Sequence, residues 1–229
     1  MPGVVLITDV DTPLGQELAR LYGESGYSVI GTTDSGEQSS LRTATALKQE
    51  RAEVPCFCVQ WSRKSALSAR NVLLAGLNRF DRIDQAILVE CPDSARQLLH
   101  ETKLFEIDRA IDLWVKGSLF FAREILAYFL ARKSGVFALV NYSKQGSREA
   151  LPPLESSIRG SIQGLTHSLF AAYAGDGIAV SVFESYSPKT AAFASYICQT
   201  ILEKESRAAK WYRFPARYRR LPKHHRFGE

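Results

Sequence analysis

Six apolar runs of strand length recur along the chain, and helix-like spacing fills most of the gaps between them. The runs are residues 4–9 (VVLITD), 27–34 (YSVIGTTD), 54–61 (VPCFCVQW), 86–91 (AILVEC), 136–143 (VFALVNYS) and 177–185 (GIAVSVFES). Helical spacing marks residues 15–26, about 64–80, 108–133, 155–174 and 190–205, with a helix-like stretch reaching Arg51. Strands that are apolar on both faces must be covered on both faces, and crossover helices do this for a parallel sheet. The pattern predicts one α/β domain, a doubly wound, mostly parallel Rossmann-like sheet with helices on both faces. No repeat or second core interrupts residues 1–209.

Composition excludes several other classes. With 45% apolar and 23% charged residues the chain reads as an ordinary globular protein. The richest apolar stretch, residues 113–130, carries Lys116, Arg123 and Glu124, so a buried helix is expected rather than a membrane span. No charged-then-apolar leader opens the sequence, and Cys56, Cys58, Cys91 and Cys198 have neither zinc nor redox spacing. Free thiols in a reducing cytoplasm, and no metal site, are the expectation.

Residues 210–229 differ from the rest. They hold Lys210, Arg213, Arg217, Arg219, Arg220, Lys223 and Arg226 against Glu229 alone, interleaved with aromatic rings. Such a tail suits nucleic acid or an anionic membrane surface. Pro215 and Pro222 break it as a single amphipathic helix.

Five fragments occur in a familiar order: RFDRIDQAILV (79–89), IDLWVKGSLFFARE (111–124), GVFALVNYSKQG (135–146), RGSIQGLTHSL (159–169) and GIAVSVFESYSPKT (177–190). Together they resemble the classical short-chain dehydrogenase/reductase family. The resemblance implies a tetrad in which a tyrosine, assisted by a lysine four residues on, passes a proton to a carbonyl. A serine holds that carbonyl and an asparagine supports a relay water. The matching positions here are Trp114 for the asparagine, Ser143 for the serine, Glu155 for the tyrosine and Arg159 for the lysine. Only Ser143 is retained. A glutamate is a poor proton donor at neutral pH unless buried. An arginine does not release its proton, though it could still hold a ribose hydroxyl or pair with Glu155. At i, i+4 on one helix face the two read as an ordinary stabilising pair, and Trp114 as a core residue that fills the relay cavity.

The cofactor side departs from the family too. Its TGxxxGxG loop aligns with Thr8, Asp9, Val10, Asp11, Thr12, Pro13, Leu14 and Gly15. The missing glycines are those that let backbone approach a pyrophosphate, Pro13 removes an N–H, and the aspartates add charge of the wrong sign. Thr12 or Asp11 is available as a helix cap instead. The family's NNAG falls around Val89, Glu90, Cys91 and Pro92, its adenine-contacting aspartate on Gln60, and its proline–glycine pair on Ser185 and Tyr186. After the second strand, Thr32 and Asp34 leave the choice between NAD and NADP open.

The resemblance therefore implies a degenerate family member that lacks normal oxidoreductase activity and acts in binding or assembly. No cofactor is expected, or NAD(P)(H) if any. The alternative is an NAD(P)(H)-dependent oxidoreductase acting on a small carbonyl or alcohol with a rebuilt site. Tyr142, Tyr186 or a proton-carrying Glu155 would be the acid there, and Tyr186 is the better candidate because Tyr142 should face away from Ser143. Pairing into a homodimer or homotetramer is expected through the helices near 108–133 and 155–174, whose first member carries large apolar residues nearly all round. For residues 210–229 the resemblance implies a segment closing over a cleft or reaching a partner subunit, a stronger reading than nucleic acid or membrane.

Overall fold

A computed structural model describes residues 3–34, 56–92, 98–146, 151–173, 175–203 and 209–214. The helix-like stretch reaching Arg51, and the tail beyond Phe214, lie outside these residues.

Seven strands form one sheet: β1 (Val4–Ile7), β2 (Ser28–Thr33), β3 (Cys56–Gln60), β4 (Gln85–Glu90), β5 (Gly135–Tyr142), β6 (Ile178–Ser185) and β7 (Lys210–Arg213). Their order is β3-β2-β1-β4-β5-β6-β7, with every pairing parallel, as the alternation predicts. The helices are α1 (Pro13–Glu24), α2 (Ala66–Phe80), α3 (Leu104–Ala110), α4 (Gly117–Arg132), α5 (Pro153–Ala172) and α6 (Thr190–Glu203). The core lies in two layers, because successive side chains on a strand point to opposite faces. Leu6, Leu88, Leu139 and Val182 face α2, α4 and α5. Ile7, Val89, Val140 and Phe183 face α1 and α6. Cys56 and Cys58 lie together against the second layer, and all four cysteines are free thiols.

Two features depart from the expected elements. Lys210–Arg213, read from sequence as the start of a tail, pair with β6 as a seventh strand. Trp211 joins one core layer and Tyr212 the other, while Lys210 and Arg213 stay exposed. Second, the long helix expected near 108–133 is not continuous: α3 passes through a π turn at Ile111–Lys116 into α4. Wide turns of this kind are rare and frequent at functional sites.

The apolar residues of α4 are also less widely exposed than their spacing implies. Phe121, Ile125, Leu126 and Phe129 are buried against the sheet, leaving Leu119 and Leu130 as its exposed large apolar residues. No helix among the described residues is long and apolar enough to cross a membrane.

Candidate active site

The strand-to-helix turn after β1 is the first part of the site. Asp9 occupies the first glycine's position and keeps the left-handed backbone, with φ 52°. Aspartate tolerates this conformation better than most residues. Its N–H donates to Thr32 Oγ1 at 3.2 Å, and the Val10 N–H donates to the Thr32 carbonyl at 2.9 Å. Thr8 Oγ1 accepts from the Val89 N–H at 2.8 Å, so Thr8 and Thr32 are buried braces of the turn.

Thr12 is the N-cap of α1. Its Oγ1 accepts from the Gly15 N–H at 3.1 Å and its hydroxyl donates to the Asp9 carbonyl at 2.7 Å. Gly15 is required here, since a Cβ would stand 2.2 Å from the Asp9 carbonyl oxygen. Pro13 is exposed and Leu14 buried in the core. A pyrophosphate fits these residues poorly: the cap takes the Gly15 donor, Pro13 has none, and Asp9 brings a carboxylate. Gln60 and Asp34 are exposed at the C-terminal ends of β3 and β2, the same end of the parallel sheet as this turn.

The Asp9 side chain meets a partner that no family motif marked. Arg63 Nη2 donates to the Asp9 carboxylate and, at 2.7 Å, to the Val89 carbonyl. Its Nη1 donates to Glu90 Oε1 at 3.0 Å, which also accepts from the Ser118 hydroxyl at 2.6 Å. The guanidinium carbon lies 4.6 Å from the Trp61 ring centroid and 4.4 Å from that of Trp114. Trp114 is therefore half-buried as a lid on an arginine rather than simply a core residue. Two buried carboxylates around one guanidinium leave an excess negative charge. Burial pushes Asp9 and Glu90 upward, against the pull of Arg63. Arg63 itself is held above its ordinary range because the two carboxylates outweigh its own burial. Cys91, beside this cluster, is pushed up to about 12 by burial, so it is a neutral thiol at physiological pH.

A second cluster lies where the tetrad belongs. Glu155 and Arg159 are 1% and 2% exposed, so the i, i+4 pair on one helix face is a buried one. Arg159 Nε donates to Glu155 Oε1 at 2.9 Å, Nη1 to the Asn141 side-chain oxygen, and Nη2 to the Tyr142 carbonyl. Asn141 is the residue that makes the difference, because it supplies a partner from the strand beneath α5. Among the described residues, Glu155 Oε2, Asn141 Nδ2 and Glu90 Oε2 are buried without a hydrogen-bond partner.

Strand register sets Glu90, Asn141, Glu184 and Arg213 in one row across β4 to β7. Glu184 accepts from Tyr186 Oη at 2.9 Å and Gln163 Nε2 at 3.0 Å, and pairs with Arg213 at 3.3 Å. The Tyr186 proton is thus directed to a carboxylate. Ser143, the retained tetrad residue, is buried, with its Oγ accepting from the Gln145 N–H at 3.3 Å. Tyr142 does face the opposite side, where its hydroxyl meets Thr190 Oγ1 at 2.7 Å. The structure thus brings Trp114 to Asp9 through Arg63, and Glu155 to Arg159. Arg63, Asn141 and Glu184 had no sequence signal beyond a polar residue at or just past the end of an apolar strand. Among the described residues no group of three or more His, Cys, Asp or Glu could hold a metal ion.

The family model for short chain dehydrogenases matches residues 3–198. Among solved structures, a 3-ketoacyl-(acyl-carrier-protein) reductase from Brucella melitensis complexed with NADH is 15% identical, with a TM-score of 0.78 over 92% of this chain and 96% of that one. Levodione reductase is 15% identical, with a TM-score of 0.80 over 93% of this chain and 96% of that one. A variant of actinorhodin polyketide ketoreductase with NADPH is 15% identical, with a TM-score of 0.81 over 94% and 96%. Among curated proteins none matches the chain in sequence. At this identity the structural likeness speaks for the fold, and the family match covers most of the chain. The chain belongs to the short-chain dehydrogenase/reductase family.

Proposed function

We propose that the chain keeps the family fold as a binding or assembly protein and does not run the family's tyrosine–lysine reduction. One observation carries this reading. At the tyrosine and lysine positions, Glu155 and Arg159 are buried and tied to each other, to Asn141 and to the Tyr142 carbonyl. Neither side chain is presented to a substrate. The strand-end chemistry at Asp9 supports the same reading on the cofactor side. Assays with NADH and NADPH against small ketones, diketones and β-keto thioesters test it directly. Turnover at rates ordinary for a reductase would overturn it.

The comparisons favour a second reading more than they favour a loss of activity. The family and the reductase neighbours, two of them complexes with NADH or NADPH, support an NAD(P)(H)-dependent oxidoreductase with a rebuilt site. Ser143 would then hold the carbonyl and Tyr186 would be the acid, its proton set by Glu184. In that case S143A and Y186F each abolish most of the turnover, whereas neither has an activity to lose under the first reading.

Assembly into a homodimer or homotetramer goes with either reading. Leu119 and Leu130 on α4, and the exposed Ser156, Gly160 and Gly164 of α5, are its support. Light scattering at micromolar concentration tests it, and a monomer would contradict it. The basic segment past Arg213 is kept as a partner or cleft contact, with nucleic acid or anionic lipid as the lesser reading. Electrophoretic mobility with and without that segment separates the two.

A further inference from the structure

Arg63 lies outside the fragments that carry the family resemblance, yet four elements are shaped around it. It follows β3 by three residues and is 3% exposed. Its two terminal nitrogens reach three acceptors: the Asp9 carboxylate, the Val89 carbonyl and Glu90 Oε1. Two indoles, Trp61 and Trp114, lie within cation–π distance of the same guanidinium. Trp114 in the π turn and Gly117 and Ser118 at the start of α4 all bear on the residue or its partners. Trp114 covers the guanidinium. Gly117 admits its backbone, since a Cβ there would stand 2.9 Å from both the Arg63 Cβ and its carbonyl oxygen. Ser118 fixes the Glu90 oxygen that Arg63 uses.

We infer that this is a guanidinium-recognition seat occupied by the chain's own Arg63, a latch that closes the strand ends of the cleft. The seat joins the β1–α1 turn, the exit of β3, the end of β4 and the start of α4. Its acceptors are laid out for a planar fork with separate donors, and its indoles for a flat, weakly hydrated cation. A guanidinium or amidinium meets both demands, whereas an alkylammonium is a compact, strongly hydrated point charge that meets neither. The inference stands whether or not the chain reduces carbonyls.

The full chain carrying Arg63→Ala is the test, with N-ethylguanidinium as the probe because it restores the deleted atoms from Cγ outward. Thermal unfolding is followed with millimolar N-ethylguanidinium chloride, ethylammonium chloride or sodium chloride. The latch requires R63A to melt lower than wild type and N-ethylguanidinium to recover at least half of that loss, saturably. Neither other salt recovers it, and wild type does not respond. No recovery in a folded R63A, or equal recovery with ethylammonium, overturns the inference. Should R63A not fold, the wild-type protein gives the answer by nitrogen-15 NMR. A seated Arg63 shows separate, upfield-shifted Nη protons under the two indoles, and a single averaged resonance at the position of an exposed arginine overturns the inference.

Discussion

Glu155 and Arg159 stand one turn apart on α5, and Arg159 Nε donates to Glu155 Oε1 across 2.9 Å with both residues buried. A helix-surface pair of this spacing contributes a few tenths of a kcal/mol, and a buried one behaves differently. Removing one partner strands a charge where water cannot reach it. Arg159→Met is expected to cost about 3–5 kcal/mol by this mechanism. The double change Glu155→Leu with Arg159→Met is expected to cost less than R159M alone, because it removes both charges. Urea unfolding of the two variants checks the order, and a double variant less stable than R159M would contradict it.

The Asp9–Arg63–Glu90 cluster predicts a pH dependence. Burial raises both carboxyls in the folded state, so the folded protein holds their protons more tightly than the unfolded chain does. Stability from this source is present at low pH and falls as the pH rises past the ordinary carboxylate range. Glu90→Gln removes one of these titrations. Between about pH 5 and about pH 7, wild type is expected to lose stability relative to E90Q. Unfolding curves at several pH values read the difference, and a gain for wild type with rising pH would contradict the sign.

The glycine at position 15 is a steric requirement of the turn. A Cβ there would lie 2.2 Å from the Asp9 carbonyl oxygen, and backbone cannot yield as a side-chain tip can. Gly15→Ala is expected to destabilise by about 1–3 kcal/mol despite alanine's better helix propensity. A stabilised G15A in thermal unfolding would refute this account of the turn.

Tyr142 and Thr190 join the end of β5 to the start of α6 through a 2.7 Å hydroxyl contact. Tyr142→Phe removes that contact without altering the packing of the ring, and a loss of about 1 kcal/mol is expected. The same variant leaves any reductase activity unchanged, since Tyr142 faces away from Ser143. An activity lost in Y142F, with stability intact, would move the acid role to this residue.

The sheet was legible in the sequence because apolar runs buried on both faces alternate with helix-spaced segments, and that pattern permits few folds. β7 was not, because two of its four residues are exposed cations and only Trp211 and Tyr212 reach the core layers. The i, i+4 spacing of Glu155 and Arg159 was plain, but their burial depends on Asn141 from a strand distant in sequence. Arg63 shows the limit most clearly. Its partners come from positions 9, 89 and 90 and its covering ring from 114, and only the strand order brings these together. The strand-to-helix turn lies where the alternation places it, and the structure adds that Asp9 holds a left-handed conformation.

Calorimetric titration with NADH and NADPH tests the central claim most directly, supported by thermal unfolding in their presence. The clusters around Arg63 and Arg159 predict no saturable heat and no shift in melting temperature at millimolar dinucleotide. A ligand present at about a hundred times its dissociation constant stabilises by about 2.7 kcal/mol, which such melts resolve readily. Saturable binding of that strength would contradict the account and transfer the cleft to the reductase reading.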